Sequence, residues 1–258
     1  MNAEMARVLI LGGTGDAAEL AAKVSVIPGV EVITSLAGRT RQPSAPLGTV
    51  RVGGFGGSTG LAAYLCEQNI DLLIDATHPF AAQISWNAAT AAAEVGIPHL
   101  MLVRPAWEKV AGDNWIEVES VEAAAKAIPA TAKRVFLTIG RQQLAPFATL
   151  AETWFLMRSI DPPAPDTATP NGKLLLDRGP FSLEQERQLL REYQINAIVS
   201  KNSGGDATYA KIIAARELGI PVVMVHRLAM PLGEQVADVD SAVAWLAERL
   251  HDKFCGIG

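Results

Sequence analysis

The sequence predicts an α/β fold: two Rossmann-like lobes with mainly parallel sheets and a cleft between them. Three observations carry this. Val8-Leu9-Ile10-Leu11, a short apolar strand, breaks into Gly12-Gly13-Thr14-Gly15 and then into a helix-forming run. Apolar runs alternate with helical segments along the chain, which implies a parallel sheet covered on both faces. Finally, one strand–helix–strand passage echoes another. Asn69 to His78 leads through a helix to Gly96-Ile97-Pro98-His99-Leu100-Met101-Leu102-Val103-Arg104, and Gln194 to Asn202 leads through a helix to Gly219-Ile220-Pro221-Val222-Val223-Met224-Val225-His226-Arg227. Any two βαβ units share such a likeness. Two similarly built lobes would also produce it, and this second reading divides the chain into a nucleotide-binding Rossmann-like domain at 1–105 and a second α/β domain at 106–258.

The elements follow in order. After the first strand, Ala17 to Lys23 is helical. Val30 to Ser35 and Thr49 to Val52 are strands, the latter ending in Gly53-Gly54-Phe55-Gly56-Gly57. A helix from about Ser58 to Gln68 precedes a buried strand, Ile70 to Ala76. A helix over Pro79 to Val95 leads to a strand at Pro98 to Val103. In the second half Trp115 to Val118, Arg134 to Thr138 and Thr153 to Met157 read as strands, and Pro162 to Asp166 as a loop. Ser182 to Tyr193 is a helix, with Ser182 and Gln185 spaced as a capping box. Ile195 to Ser200 is a strand, Ala207 to Leu218 a helix and Pro221 to Val225 a strand. Asp240 to Leu250 is the last helix, and the tail to Gly258 is expected to be loose.

Composition narrows the function. A net charge of −5 argues against a nucleic-acid surface, which usually needs a basic stripe. Cys66 and Cys255 suggest no disulfide framework and fit a reducing cytoplasm. Four scattered histidines and two cysteines give no metal-ligand spacing. The N-terminus lacks a signal-peptide pattern. The stretch from Ala76 to Ala93, though free of Asp, Glu, Lys and Arg, contains too many polar residues and a proline to read as a membrane span.

The glycine turn is the first candidate site. From Gly13 the residues fit G-x-G-x-x-A, a variant of the dinucleotide fingerprint. Small residues permit the turn, the approach of a pyrophosphate and close packing by Ala18, while the helix N-terminus presents N–H groups to phosphate. Gly12, Gly13, Thr14, Gly15, Asp16 and Ala17 are therefore candidate cofactor-binding residues. For Asp16, the preference for an acid in a first helical turn is the simpler account. NAD-specific folds place an acid near the end of the second strand. Here the chain reads Thr34-Ser35-Leu36-Ala37-Gly38-Arg39-Thr40-Arg41. Ser35, Arg39 and Thr40 suit a 2′-phosphate, which favours NADPH over NADH; a solvated basic loop is the alternative. Gly54 and Phe55, beyond the third strand, and Thr77, at the end of the fourth, complete the expected cofactor set.

The chemistry is constrained mainly by exclusion. Tyr209 precedes Lys211 by two residues rather than four, so the short-chain dehydrogenase pattern is missing, and no G-x-S-x-G elbow occurs. Arg104, Arg141, Arg158, Arg178, Lys201 and Arg227 lie at expected strand ends or loops. Each alone fits a surface ion pair; together they suit a ligand with several carboxylates. His78 fits a proton donor, a carboxylate partner or a cap before Pro79. Asp177 fits an acid near substrate or a local partner of Arg178.

Several ordered segments resemble the precorrin-6A reductases of cobalamin biosynthesis. They are Ile10-Leu11-Gly12-Gly13-Thr14-Gly15-Asp16-Ala17, Ser35-Leu36-Ala37-Gly38-Arg39-Thr40, Gly53-Gly54-Phe55-Gly56-Gly57, Asp75-Ala76-Thr77-His78-Pro79-Phe80-Ala81, Arg104-Pro105-Ala106-Trp107, Asp177-Arg178-Gly179-Pro180-Phe181, and Lys201-Asn202-Ser203-Gly204-Gly205 followed by Thr208-Tyr209-Ala210-Lys211. The resemblance covers nearly the whole chain. It implies an NADPH-dependent oxidoreductase acting on a CH–CH bond, reducing precorrin-6A, or its cobalt form, to precorrin-6B by hydride transfer and protonation. It also implies a tetrapyrrole substrate held by Arg104, Arg178, Lys201, Ser203, Gly204 and Gly205, with His78 and Asp177 as candidates for the proton role. No metal, nucleic acid or membrane is expected as a partner, and transient contacts with neighbouring pathway enzymes are. The alternative is a non-catalytic NADP-sensing protein on the same scaffold.

Overall fold

The structure is a computed structural model that describes residues 5–38 and 48–255. The chain forms β1 (Ala6–Leu11), α1 (Gly15–Val24), β2 (Val30–Leu36), β3 (Thr49–Val52), α2 (Ser58–Glu67), β4 (Leu72–Asp75), α3 (Ala82–Val95) and β5 (His99–Leu102). There follow β6 (Trp115–Val118), α4 (Val121–Ala127), β7 (Arg134–Thr138), two single 3-10 turns, β8 (Trp154–Ser159) and β9 (Gly172–Leu176). Last come α5 (Leu183–Glu192), β10 (Ala197–Lys201), α6 (Ala210–Glu217), β11 (Val222–Val225), β12 (Glu234–Val236) and α7 (Val239–Cys255). All strand pairs are parallel.

Two six-stranded sheets result, in the orders β12-β5-β4-β1-β2-β3 and β6-β11-β10-β7-β8-β9. Each sits in its own compact unit: residues 1–104 with 229–258, and residues 105–228. In the first unit, side chains alternate between two cores, as the strand period of two requires. Val8 and Ile10 pack with Leu20, Leu246 and Trp245 on one face. Leu9 and Leu11 pack with Leu61, Leu65 and Ala91 on the other. In the second unit Phe136, Leu156, Ile198 and Met224 meet Leu190 and Ile212.

Both sheets have the same order once β7 is matched with β1, and the echoed passages are β4-α3-β5 and β10-α6-β11. The sixth strand of each is exchanged. β6, which follows β5 in the chain, pairs with β11, and β12, which follows β11, pairs with β5. The exchanged pieces match: Val103 N donates to Val236 O and His226 N to Val118 O, each at 2.8 Å. After both strands an N-cap side chain starts a helix: Ser120 accepts from Ala123 N, and Asp238 from Ser241 N. The expected second domain, 106–258, is corrected accordingly. Residues 229–258 complete the first unit, where β12 supplies the last hydrogen-bonding edge and α7 covers one face. The tail is corrected too: the last helix continues past Leu250 to Cys255.

Local chemistry explains the element ends. Thr14 and Ser120 cap α1 and α4, and Ser182 forms the full capping box with Gln185. α3 starts at Ala82 rather than Pro79, because His78–Ala81 closes a turn, with Ala81 N bonded to His78 O at 2.7 Å.

Candidate functional site

The carboxyl ends of three strands set the first unit's site. Leu11 of β1 lies level with Ser35 of β2 and Asp75 of β4. The strand order changes direction between β1 and β4, the position at which open α/β sheets bind ligands. Gly12 N donates to Ser35 O at 2.9 Å, and Gly13 turns the chain at φ 110°, where a side chain would be strained. Thr14 Oγ1 accepts from Ala17 N at 3.0 Å and donates to Ala76 O at 2.8 Å, tying the turn to the end of β4. Gly15, Asp16 and Ala17 form the first turn of α1, whose leading N–H groups lack intrahelical partners.

A cavity of about 250 Å³ opens beside this turn. Gly12, Ser35, Gly54, Phe55 and Thr77 line it, together with Leu61 and Asn87. Thr77 is fixed by Asp75, whose Oδ1 accepts from its amide at 3.0 Å and its hydroxyl at 2.7 Å. Gly60 lets α2 approach the glycine loop: a Cβ there would meet Phe55 O at 1.8 Å. A glycine turn with positive φ, a helix N-terminus and an adjoining cavity at the switch point fit a dinucleotide. Arg39 and Thr40, expected at its ribose, lie outside the described residues.

Two further candidates in this unit are held locally. Arg104 NH1 pairs with Asp16 Oδ2 at 2.7 Å, joining an expected substrate residue to an expected cofactor residue. His78 is exposed, and its Nδ1 accepts from Phe80 N at 3.2 Å, the geometry of a turn cap.

The remaining candidates belong to the second unit. Lys201 ends β10, and Ser203 N donates back to Lys201 O at 2.8 Å. Gly204, at φ 66°, lies so close to Pro105 O that a Cβ would sit 2.0 Å from it. Asp177 is exposed and accepts from Arg178 N at 2.8 Å. Phe181 N donates to Ala207 O at 3.2 Å, which brings the 177–181 and 201–211 motifs together.

The sequence reading missed the groups that hold these loops. Asn202 exchanges two bonds with the Trp107 backbone, at 2.7 and 2.9 Å, and Trp107 Nε1 donates to Gly205 O at 2.8 Å. Beneath lie three buried charges: Arg158, Glu186 and Lys211. Arg158 NH1 meets Glu186 Oε1 at 2.5 Å and stacks over Phe181 at 3.6 Å. Lys211 Nζ donates to Thr208 O at 2.8 Å. Burial, and secondarily the Arg158 charge, lowers the Lys211 ammonium to about 7, against an opposing pull from Glu186. The two i, i+4 neighbours Ala207 and Lys211 gave no signal of this. Among the described residues, no helix is long and apolar enough to cross a membrane.

Comparison with known proteins places this geometry in a family. The sequence model described as Precorrin-6x reductase CbiJ/CobK matches residues 7–247. The Precorrin-6A reductase of Rhodococcus erythropolis is 51% identical over 244 residues, covering 94% of this chain and 98% of that protein. The Precorrin-6A reductase of a Sinorhizobium species is 45% identical over 247 residues, covering 96% and 95%. A solved structure described as CobK precorrin-6A reductase superposes with a TM-score of 0.89 at 41% identity, covering 95% of this chain and 97% of its own. The non-catalytic sensor alternative finds no support among these relatives. The chain belongs to the precorrin-6x reductase CbiJ/CobK family and is a reductase.

Proposed function

We propose that this enzyme reduces precorrin-6A to precorrin-6B in cobalamin biosynthesis, with NADPH as reductant. The observation that carries the reading is the family match along nearly the whole chain, joined by a relative named precorrin-6A reductase at 51% identity. When bound, NADPH supplies the hydride. The chain's part is placement and charge. Gly13, Thr14 and the first turn of α1 receive the pyrophosphate. Ser35 and the cavity residues Gly54, Phe55 and Thr77 receive the nucleoside end. The absence of an acid in Ser35-Leu36-Ala37-Gly38 favours the 2′-phosphorylated cofactor. Arg178, Lys201 and Ser203–Gly205 meet the macrocycle's carboxylates, and Arg104, beside Asp16, balances charge near the pyrophosphate. His78 and Asp177 are the proton-role candidates; a true donor lowers turnover more than binding when replaced.

The test follows NADPH oxidation together with the tetrapyrrole spectrum, using purified protein with precorrin-6A and, separately, its cobalt form. The expected result is a spectral change that requires NADPH, faster with the metal-free substrate. A folded protein that binds NADPH yet reduces neither macrocycle overturns the reading.

A further inference from the structure

The β2–β3 register sets Ser35 opposite Arg51. The Arg51 guanidinium is held in one place. NH1 donates to Gly53 O at 2.5 Å and reaches Ser35 Oγ at 3.4 Å, and NH2 donates to Gly54 O at 2.9 Å. Its face lies 3.8 Å from the Phe55 ring centroid and 5.1 Å from that of Tyr64. Ser35, Gly53, Gly54 and Phe55 all line the cavity, so this cation forms part of its wall. Every acceptor it touches is neutral. Among the described residues no carboxylate forms an ion pair with it. A half-buried charge without a counter-charge is costly, and a guanidinium has five N–H donors in a fixed fork. Three bonds leave donors available for an anion, already oriented by two carbonyls and a ring.

We propose that Arg51 is a specificity-determining residue, its guanidinium receiving the 2′-phosphate of the cofactor's adenosine end. The inference rests on the NADPH reading and deepens it. A planar, always-charged fork suits phosphate oxygens, and its preorganisation limits the entropy lost on binding. Arg51 also staples the Gly53–Gly57 loop through the Gly53 and Gly54 carbonyls. The two roles separate cleanly: loss of a staple weakens any dinucleotide, whereas loss of a phosphate contact weakens only the phosphorylated one.

The experiment is direct binding without substrate. NADPH and NADH, and as fragments adenosine 2′,5′-bisphosphate and AMP, are titrated into the full chain by calorimetry, with Arg51→Met and Arg51→Lys beside wild type. For Arg51→Met the expected outcome is NADPH weakened about ten- to a hundredfold, with NADH changed less than about threefold. Arg51→Lys, which keeps charge but not the fork, gives a smaller drop in the NADPH/NADH ratio and serves alone if the Met variant does not fold. An unchanged ratio, or equal weakening of both cofactors, overturns the assignment. A wild type that does not prefer NADPH overturns the cofactor reading itself, before any variant is compared. Arg39→Ala, measured in parallel, reports the share of that segment.

Discussion

Replacing Lys211 by Met should change how stability depends on pH. Lys211 is 3% exposed, and its Nζ has Thr208 O as acceptor, at 2.8 Å, with the Trp107 ring 4.8 Å away. Arg158 and Glu186 are the charged groups that act on it. Burial first, and Arg158 next, bring its pKa from an ordinary 10.5 to about 7. The sign follows from proton counts. Between pH 7 and 10.5 the unfolded chain binds a proton at this lysine that the folded chain does not. Stability therefore rises with pH across that window, by at most about tenfold in the folding constant per pH unit for one group. Below pH 7 both states are protonated, above 10.5 neither is, and the dependence flattens. Methionine removes the titration and keeps the length and much of the apolar packing. It also loses the bond to Thr208 O, worth about 1 kcal/mol at every pH. Relative to wild type, the Met variant should thus gain most near pH 7 and lose that advantage towards pH 10. Urea unfolding followed by tryptophan fluorescence at several pH values measures this. If the wild-type and variant stability curves run parallel from pH 7 to 10, Lys211 is not held neutral and the reasoning fails.

Thr14→Val removes both the cap on Ala17 N and the bond to Ala76 O; thermal or urea unfolding should show a loss of about 1–2 kcal/mol, with weaker NADPH binding by titration. Trp107→Phe keeps a ring but not the donor to Gly205 O. The Michaelis constant for the tetrapyrrole should rise about fivefold with NADPH affinity unchanged, and a matching loss of NADPH affinity would place Trp107 in general stability instead. Arg178→Ala and Lys201→Ala should each raise that constant while sparing NADPH affinity, modestly because a polycarboxylate keeps its other anchors; steady-state kinetics with independent cofactor titration decides it.

Long buried elements were legible in the sequence, and short edge elements were not. β1, β2, β4, β5, β10 and β11 are apolar runs because both faces of a parallel sheet are covered, and Ser182 with Gln185 announced α5 by its cap. β12 is the three residues Glu234-Gln235-Val236, largely exposed at a sheet edge, and β9 is an edge strand that begins at a glycine. Neither forms an apolar run, so neither registered, and with β12 went the exchange that returns residues 229–258 to the first unit. α4 is seven residues, mostly alanine, with too few turns for a periodic signal. The repeat Glu117-Val118-Glu119-Ser120-Val121 and Gln235-Val236-Ala237-Asp238-Val239 was the available clue. Among site residues, glycine turns were readable because few residue types adopt their backbone. Arg51, Trp107 and Asn202 were not, since their partners lie far along the chain or depend on strand register.

The two sheets share an order yet differ where ligands bind, and that difference supports a division of labour. After β1 the chain turns through Gly12 and Gly13 into a ten-residue helix capped by Thr14. After β7, its counterpart, Ile139-Gly140-Arg141 enters two single 3-10 turns, and no α-helix precedes β8. Without that helix the second unit has no dipole or amide cluster at its switch point to receive a pyrophosphate. What it has at its strand ends is side-chain charge: Arg141, Lys201 and Arg178, with Arg158 buried beneath. A dinucleotide needs close backbone approach, which glycine provides. Carboxylates spread around a macrocycle need cations at separated points, which side chains provide. The same scaffold thus supports cofactor binding where its helix was kept, and polyanion binding where it was replaced.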